Sequence, residues 1–164
     1  MSTLTLNLCA PLQSYGYKDF FNIRQTKVEP TISAIAGLIA CCAGIERDDP
    51  KILEIEKSIK IKEIEKYKTP KKFDDRITAD YFTELSDFQI LKGTEENPVY
   101  TSKQKEYKNN VIIKRDYIED AYFKVTIESN GKNIEQYKRW LRDPVWVPYI
   151  GRKCCSPSIP IFYE

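Results

Sequence analysis

The 164-residue sequence contains no histidine. That absence excludes a Ser-His-Asp or Cys-His nucleophilic centre, a histidine general base and histidine-ligated metal. Any catalysis would rest on carboxylates, lysine or tyrosine. There are five cysteines, but none stand in C-x-x-C spacing, so the usual zinc signature is missing too. Cys41–Cys42 and Cys154–Cys155 are adjacent pairs, which rarely bridge internally, and Cys9 stands alone. The first pair lies in an apolar run and reads as small core side chains. The count fits a reducing compartment. A long hydrophobic run is also lacking: the apolar stretch Ile32–Ile45 falls short of the roughly 20 residues that cross a bilayer. The start, Met1–Leu4, has no basic leader region. A cytoplasmic protein without membrane contact or cofactor is expected. There is no internal repeat and no low-complexity tract.

Strong net charge is likewise absent. The balance of +2 announces no nucleic-acid partner, but the distribution is uneven. Lys57–Lys72 holds seven lysines against two glutamates, and Thr101–Arg115 four lysines and an arginine against Glu106. Such stretches are either solvated faces or a basic stripe for a phosphate backbone. The length fits one domain, burying roughly 70% of its unfolded surface.

What is present reads in order as strand, helix, helix, strand, strand, strand, helix, strand. Thr3–Leu8 alternates, with Leu4, Leu6 and Leu8 inward. A small-residue helix runs from about Thr31 or Ser33 to Ala43, with either hydroxyl as cap and Gly44 as the residue past its end. A short helix follows Asp48-Asp49-Pro50 as far as Ser58. Strands are expected at Ile59–Lys66, Thr78–Leu85 and Val111–Ile113, with Thr69–Asp75 as loop. Ala121–Ile127 alternates with Phe123, Val125 and Ile127 inward and Tyr122, Lys124 and Thr126 outward. An amphipathic helix spans Asn133–Arg142, presenting Ile134, Tyr137 and Leu141, and Pro144 ends it. Trp146–Tyr149 is expected as a last strand. Residues 86–110 are polar and broken by Gly93 and Pro98, which suggests an extended hairpin or arm. The order approximates an α+β, ferredoxin-like βαββαβ domain over 1–164 with that arm inserted.

Four segments could carry chemistry. Gln13, Ser14, Tyr15 and Gly16 combine amide, hydroxyl, aromatic and flexible backbone, the mixture unstacked RNA bases require; an ordinary polar turn has the same composition. Arg24, Lys27, Thr31 and Ser33 lie before or at a helix N-terminus, which suits a phosphate, although capping alone explains the hydroxyls. Lys114, Arg115 and Tyr117 form a third group; Arg115 either forks onto a phosphate or pairs with Asp116, Glu119 or Asp120. Gly151, Arg152 and Lys153 make a small cation-bearing turn. Tyr81 either stacks on a base or belongs to the core.

These segments recur together in one family. APLQSYG at 10–16, P-T-x-S at 30–33, DYFT at 80–83, RDYIEDAYF at 115–123 and GRK at 151–153 resemble, in order, the CasD-like subunits of type I-E CRISPR Cascade complexes, in the RAMP superfamily. Tyr15 stands where the family has tryptophan and Phe82 where it has histidine. The resemblance implies a ferredoxin-like (RNA-recognition-like) fold whose residues 86–110 form a thumb. It implies a non-catalytic subunit that grips the 5′ handle of the CRISPR RNA (crRNA). Such a subunit caps the backbone of repeated subunits, docks the large subunit and meets target DNA indirectly. Gln13, Ser14, Tyr15, Gly16, Arg24, Lys27, Thr31, Ser33, Tyr81, Lys114, Arg115, Tyr117, Gly151, Arg152 and Lys153 are then RNA-binding. The family pattern continues past Glu164, consistent with a compact variant, a truncated gene or half of a split protein. Two alternatives stand: a metal-independent endoribonuclease processing precursor crRNA, and an assembly subunit with little RNA contact. Tyrosine or lysine of ordinary pKa is a poor base at neutral pH, which disfavours the enzyme.

Overall fold

Alternation in the first strand sets the architecture. In β1 (Ser2–Gln13), Leu4, Leu6 and Leu8 all face inward and are buried. The computed structural model describes residues 1–20, 22–68, 83–92, 94, 96–97, 99–100, 106–107 and 111–163. The expected loop 69–75 and Tyr81 lie outside them. After β1 come a hairpin, β2 (Gly16–Phe20) and β3 (Ile23–Thr26), then helices α1 (Ile32–Cys42) and α2 (Lys51–Ser58). Strands β4 (Lys60–Lys68) and β5 (Thr83–Leu91) follow, with a two-stranded ladder of β6 (Val99–Tyr100) and β7 (Glu106–Tyr107). Strand β8 (Val111–Ser129) and helix α3 (Gly131–Arg142) complete the elements.

Strand β8 is the spine. Sequence alternation suggests two short strands, but the structure runs them into one of 19 residues. Its C-terminal half lies between β1 and β4, both antiparallel, with Leu6 and Ile64 each opposite Val125. Its N-terminal half pairs antiparallel with β5 and parallel with β3. Asp120 divides the halves at a φ of 54°, a left-handed conformation that bends the strand opposite Pro11. Phe123, Val125 and Ile127 are fully buried beneath Ile35 and Ile39 of α1 and Ile134 and Leu141 of α3. Each such side chain contributes about 1.5–3 kcal/mol relative to exposure.

The helix ends match their local chemistry. Thr31 caps α1, accepting from Ala34 N at 3.3 Å, and Gly44 (φ 70°) lies just past its other end. Gly44 N donates to the Cys41 carbonyl and Ile45 N to that of Ala40, the paired closure of a Schellman turn. Asn130 caps α3, accepting from Asn133 N at 2.8 Å, so that helix begins at Gly131, two residues before the expected Asn133.

Two further elements differ from expectation. Trp146–Tyr149 is not a strand. Pro144 and Pro148 deny it ladder donors, and Val145 N instead donates to the Cys42 carbonyl at the end of α1 (2.9 Å). The fourth-strand position is taken by residues 158–161. Ser158 N donates to the Cys9 carbonyl (2.8 Å) and Asn7 N to that of Ile161 (2.7 Å), antiparallel to β1. The sequence of neighbours, 158–161, β1, β8, β4, is the ferredoxin-like order. The arm also starts differently: Ser86–Leu91 is strand, paired with β8, so the expected hairpin grows out of the main sheet.

Candidate nucleic-acid interface

The chain leaves β1 at Gln13 and enters β2 at Gly16, and this crossing organises the site. Gln13 is fully buried; its amide nitrogen donates to the Leu8 and Ala121 carbonyls. Its amide oxygen accepts the Tyr15 hydroxyl. The Tyr15 ring, 1% exposed, meets Phe123 edge to face at 6.1 Å. Burial pushes its phenol well above the ordinary value. The expectation that Gln13 and Tyr15 offer their side chains to bases is therefore corrected. A polar pair this deep is satisfied internally, as a buried amide must be, and the ring has no face left to stack on. Ser14 is buried too, while Gly16 is exposed.

What this crossing does instead is seat the Gly151–Lys153 turn. Ser14 N donates to the Ile150 carbonyl at 3.2 Å. Gly151 has a φ of 89°, and a Cβ there would lie 1.6 Å from the Ser14 carbonyl oxygen, so only glycine fits. Tyr15 N donates to Thr26 Oγ1 (2.7 Å) and Lys27 N to the Tyr15 carbonyl (2.7 Å), which ties the hairpin to the same crossing. Ala34 and Ile35, in the first turn of α1, close over Tyr15 and Gly151. That places Thr31 and Ser33 beside the turn, hydrogen-bonded to each other at 3.2 Å.

Above this base the cations gather. Arg152 donates from Nη1 to the Asp116 carbonyl (3.0 Å) and from Nη2 to the Arg24 carbonyl (3.1 Å). Its guanidinium lies 4.5 Å from the centre of the Tyr117 ring. Tyr117 is buried, its hydroxyl 3.7 Å from Cys154 Sγ. Arg24 and Arg115 are partners across the parallel β3–β8 ladder, beside Ile23 and Lys114. Lys114 Nζ lies 3.7 Å from Asp116, which also accepts from Ser86 Oγ at 2.7 Å. Arg115 Nε is buried without a hydrogen-bond partner. Arg24, Lys27 and Lys153 are exposed or nearly so. Three arginines, two on strands and one clamped by backbone carbonyls, thus share one corner with lysines at its rim. A fixed guanidinium is suited to forked contact with phosphate.

Sequence reasoning does not find Thr26, whose hydroxyl holds the crossing to the hairpin; a threonine ending a strand gives no signal. It does find Tyr117, but as an RNA contact, whereas the ring is the platform under Arg152. The Lys57–Lys72 stretch is no uniform stripe where described. Lys66 pairs with Glu29 at 2.7 Å and Lys62 with Glu128 at 3.6 Å. Among the described residues no His, Cys, Asp or Glu cluster could hold a metal.

The family model described as CRISPR-associated protein (Cas_Cas5) matches residues 3–164. The CRISPR system Cascade subunit CasD of Escherichia coli strain K12 is 28% identical over 171 residues, spanning 98% of this chain and 70% of that protein. A chain of a CRISPR RNA-guided surveillance complex superposes with a TM-score of 0.76 at 26% identity, over 98% of this chain and 62% of that one. A solved Cas protein at 23% identity, with a TM-score of 0.59, shares the fold. This chain therefore spans about two thirds of the length of these relatives.

Proposed function

The chain belongs to the CRISPR-associated Cas5 family, and on that premise we propose that it is a non-catalytic RNA-binding subunit of a Cascade-type surveillance complex, gripping the 5′ handle of the crRNA. The observation that carries this is the Arg152 clamp. A guanidinium fixed by two carbonyls and a tyrosine face, beside Arg24 and Arg115, is pre-organised for a backbone phosphate. Arg24, Arg115 and Arg152 make the primary contacts, with Lys27, Lys114 and Lys153 at the rim. Gln13, Tyr15 and Gly151 position the turn from below.

Partner subunits fit elsewhere. Phe88, Ile90 and Ile112 lie on one face of the β5–β8 ribbon, 65%, 59% and 56% exposed. A neighbouring backbone subunit covering that face would bury them, as the thumb assignment requires. The large subunit docks on another surface, and target DNA is reached through the assembly. The absence of histidine and the raised pKa of the buried Tyr15 phenol both favour binding over RNA cleavage.

The test is affinity purification of the tagged chain from cells carrying its neighbouring genes. The expected result is a complex with a single copy of this chain and RNA bearing a repeat-derived 5′ end. Absence of both RNA and Cas partners by sequencing and mass spectrometry would refute it, and site-specific cleavage of repeat RNA by the purified chain would favour the endoribonuclease.

A further inference from the structure

The helices cover one face of the sheet, and the opposite face carries a feature the arginine corner does not use. Tyr67 of β4 and Tyr122 of β8 stand directly opposite one another in the ladder, ring centres 5.0 Å apart and inclined by 31°. Both are half-buried, and at that separation and inclination the two rings pack against each other. Lys124 places its ammonium 4.8 Å from the centre of the Tyr67 ring. Tyr122 donates to Asn7 Oδ1 at 3.1 Å, and Tyr67 donates to Glu65. Three neighbouring strands thus bring together a packed tyrosine pair (β4 and β8), a cation (β8) and an amide (β1). We propose that this face is a second single-stranded nucleic-acid site, stacking bases against the outer sides of the Tyr67–Tyr122 pair with Lys124 at the backbone.

The chemistry selects that occupant. Every base has a π-face, so stacking on a tyrosine pair is sequence-tolerant. One ammonium among hydroxyls and an amide suits a phosphate-linked, polar-edged ligand. A protein partner would seek contiguous aliphatic surface, and in this chain that lies on the β5–β8 ribbon. The site is distinct from the arginine corner. Tyr122 lies five residues beyond Tyr117 on β8, past the left-handed bend at Asp120, about 16 Å along an extended strand. None of the four side chains takes part in the Arg152 clamp.

The test uses the full chain with uridine and deoxythymidine octamers carrying photoreactive bases. Cross-linked peptides are mapped by mass spectrometry, and affinity is followed by anisotropy at two salt concentrations. Cross-links are expected in the peptides containing Tyr67 or Tyr122. Tyr67→Leu with Tyr122→Leu should weaken octamer binding about ten-fold or more, the loss of one to two stacked bases. The salt slope should stay unchanged, because every cation that meets a phosphate is still present. Tyr122→Phe, which keeps the ring, should bind as the parent does. RNA alone cross-linking there would assign the site to RNA; both octamers doing so would assign it to any single strand. The proposal is overturned if the parent cross-links only through peptides bearing Arg24, Arg115 or Arg152, or not at all. It is also overturned if a folded double variant binds the octamers unchanged. Should the double variant fail to fold, the map on the parent chain decides.

Discussion

Replacing Gly151 by alanine tests how the candidate site is built. The residue sits at a φ of 89°, and the new methyl would meet the Ser14 carbonyl oxygen at 1.6 Å. No side chain can yield, because the obstructing atom is backbone. The left-handed conformation alone costs an L-residue about 1–2 kcal/mol. Moving the turn away also breaks the bond from Ser14 N to the Ile150 carbonyl, worth about 1 kcal/mol. The sum is about 2–3 kcal/mol, and for a domain of this size each kcal/mol lowers Tm by roughly 2–4 °C. A fall of about 4–12 °C is expected by thermal denaturation, with weaker RNA binding because Arg152 leaves its carbonyl clamp. Gly16→Ala is the control: its Cβ would find nothing within 4 Å. If Gly151→Ala melts with the parent and the control, the seating of the turn on the Gln13–Gly16 crossing is wrong.

Three further outcomes follow from the same packing. Tyr15→Phe leaves the Gln13 amide oxygen buried without its donor, so denaturant titration should show a loss of about 1–3 kcal/mol. Gly37→Ala, mid-helix with open space around the new methyl, should instead stabilise the chain by about 0.5–1 kcal/mol in the same assay. Burial pushes the Cys42 and Cys155 thiols from the ordinary 9.0 up to about 12. Between those values the unfolded chain releases thiol protons that the folded chain keeps, so urea midpoints should fall as pH rises from about 9 towards 12; a flat profile would contradict the burial of both thiols.

The core is legible in the sequence because its signals are local. Leu4, Leu6 and Leu8, and Phe123, Val125 and Ile127, alternate with polar neighbours, and Gly44 and Pro144 mark helix ends. The structure buries all six side chains and ends both helices there, since alternation on a sheet with one covered face reports burial directly. The fourth-strand position is not legible. Residues 158–161 make two backbone bonds to β1, one on each side of Pro160, too sparse a pattern to read as a strand, whereas Val145-Trp146-Val147 looks like one. At the candidate site the sequence points to segments that the structure brings together, but it does not reveal which side chains face inward. Gln13 and Tyr15 are polar enough to suggest a surface, yet they satisfy one another inside the fold. Their pairing depends on Leu8 and Ala121 carbonyls brought close by the β1–β8 ladder, a non-local fact. Arg24, Arg115 and Arg152 are far apart in the chain, and only the β3–β8 register and the Gly151 turn bring them to one corner.

The central claim is that this corner holds an RNA backbone. It is tested most directly by measuring the affinity of repeat-derived 5′ handle RNA for the parent chain, Arg24→Ala and Arg152→Ala across a series of salt concentrations. Each variant should bind more weakly, with the slope of log affinity against log salt reduced by about 0.7 for each phosphate that no longer meets a cation. Parent-like affinity and slope in both variants would contradict the account.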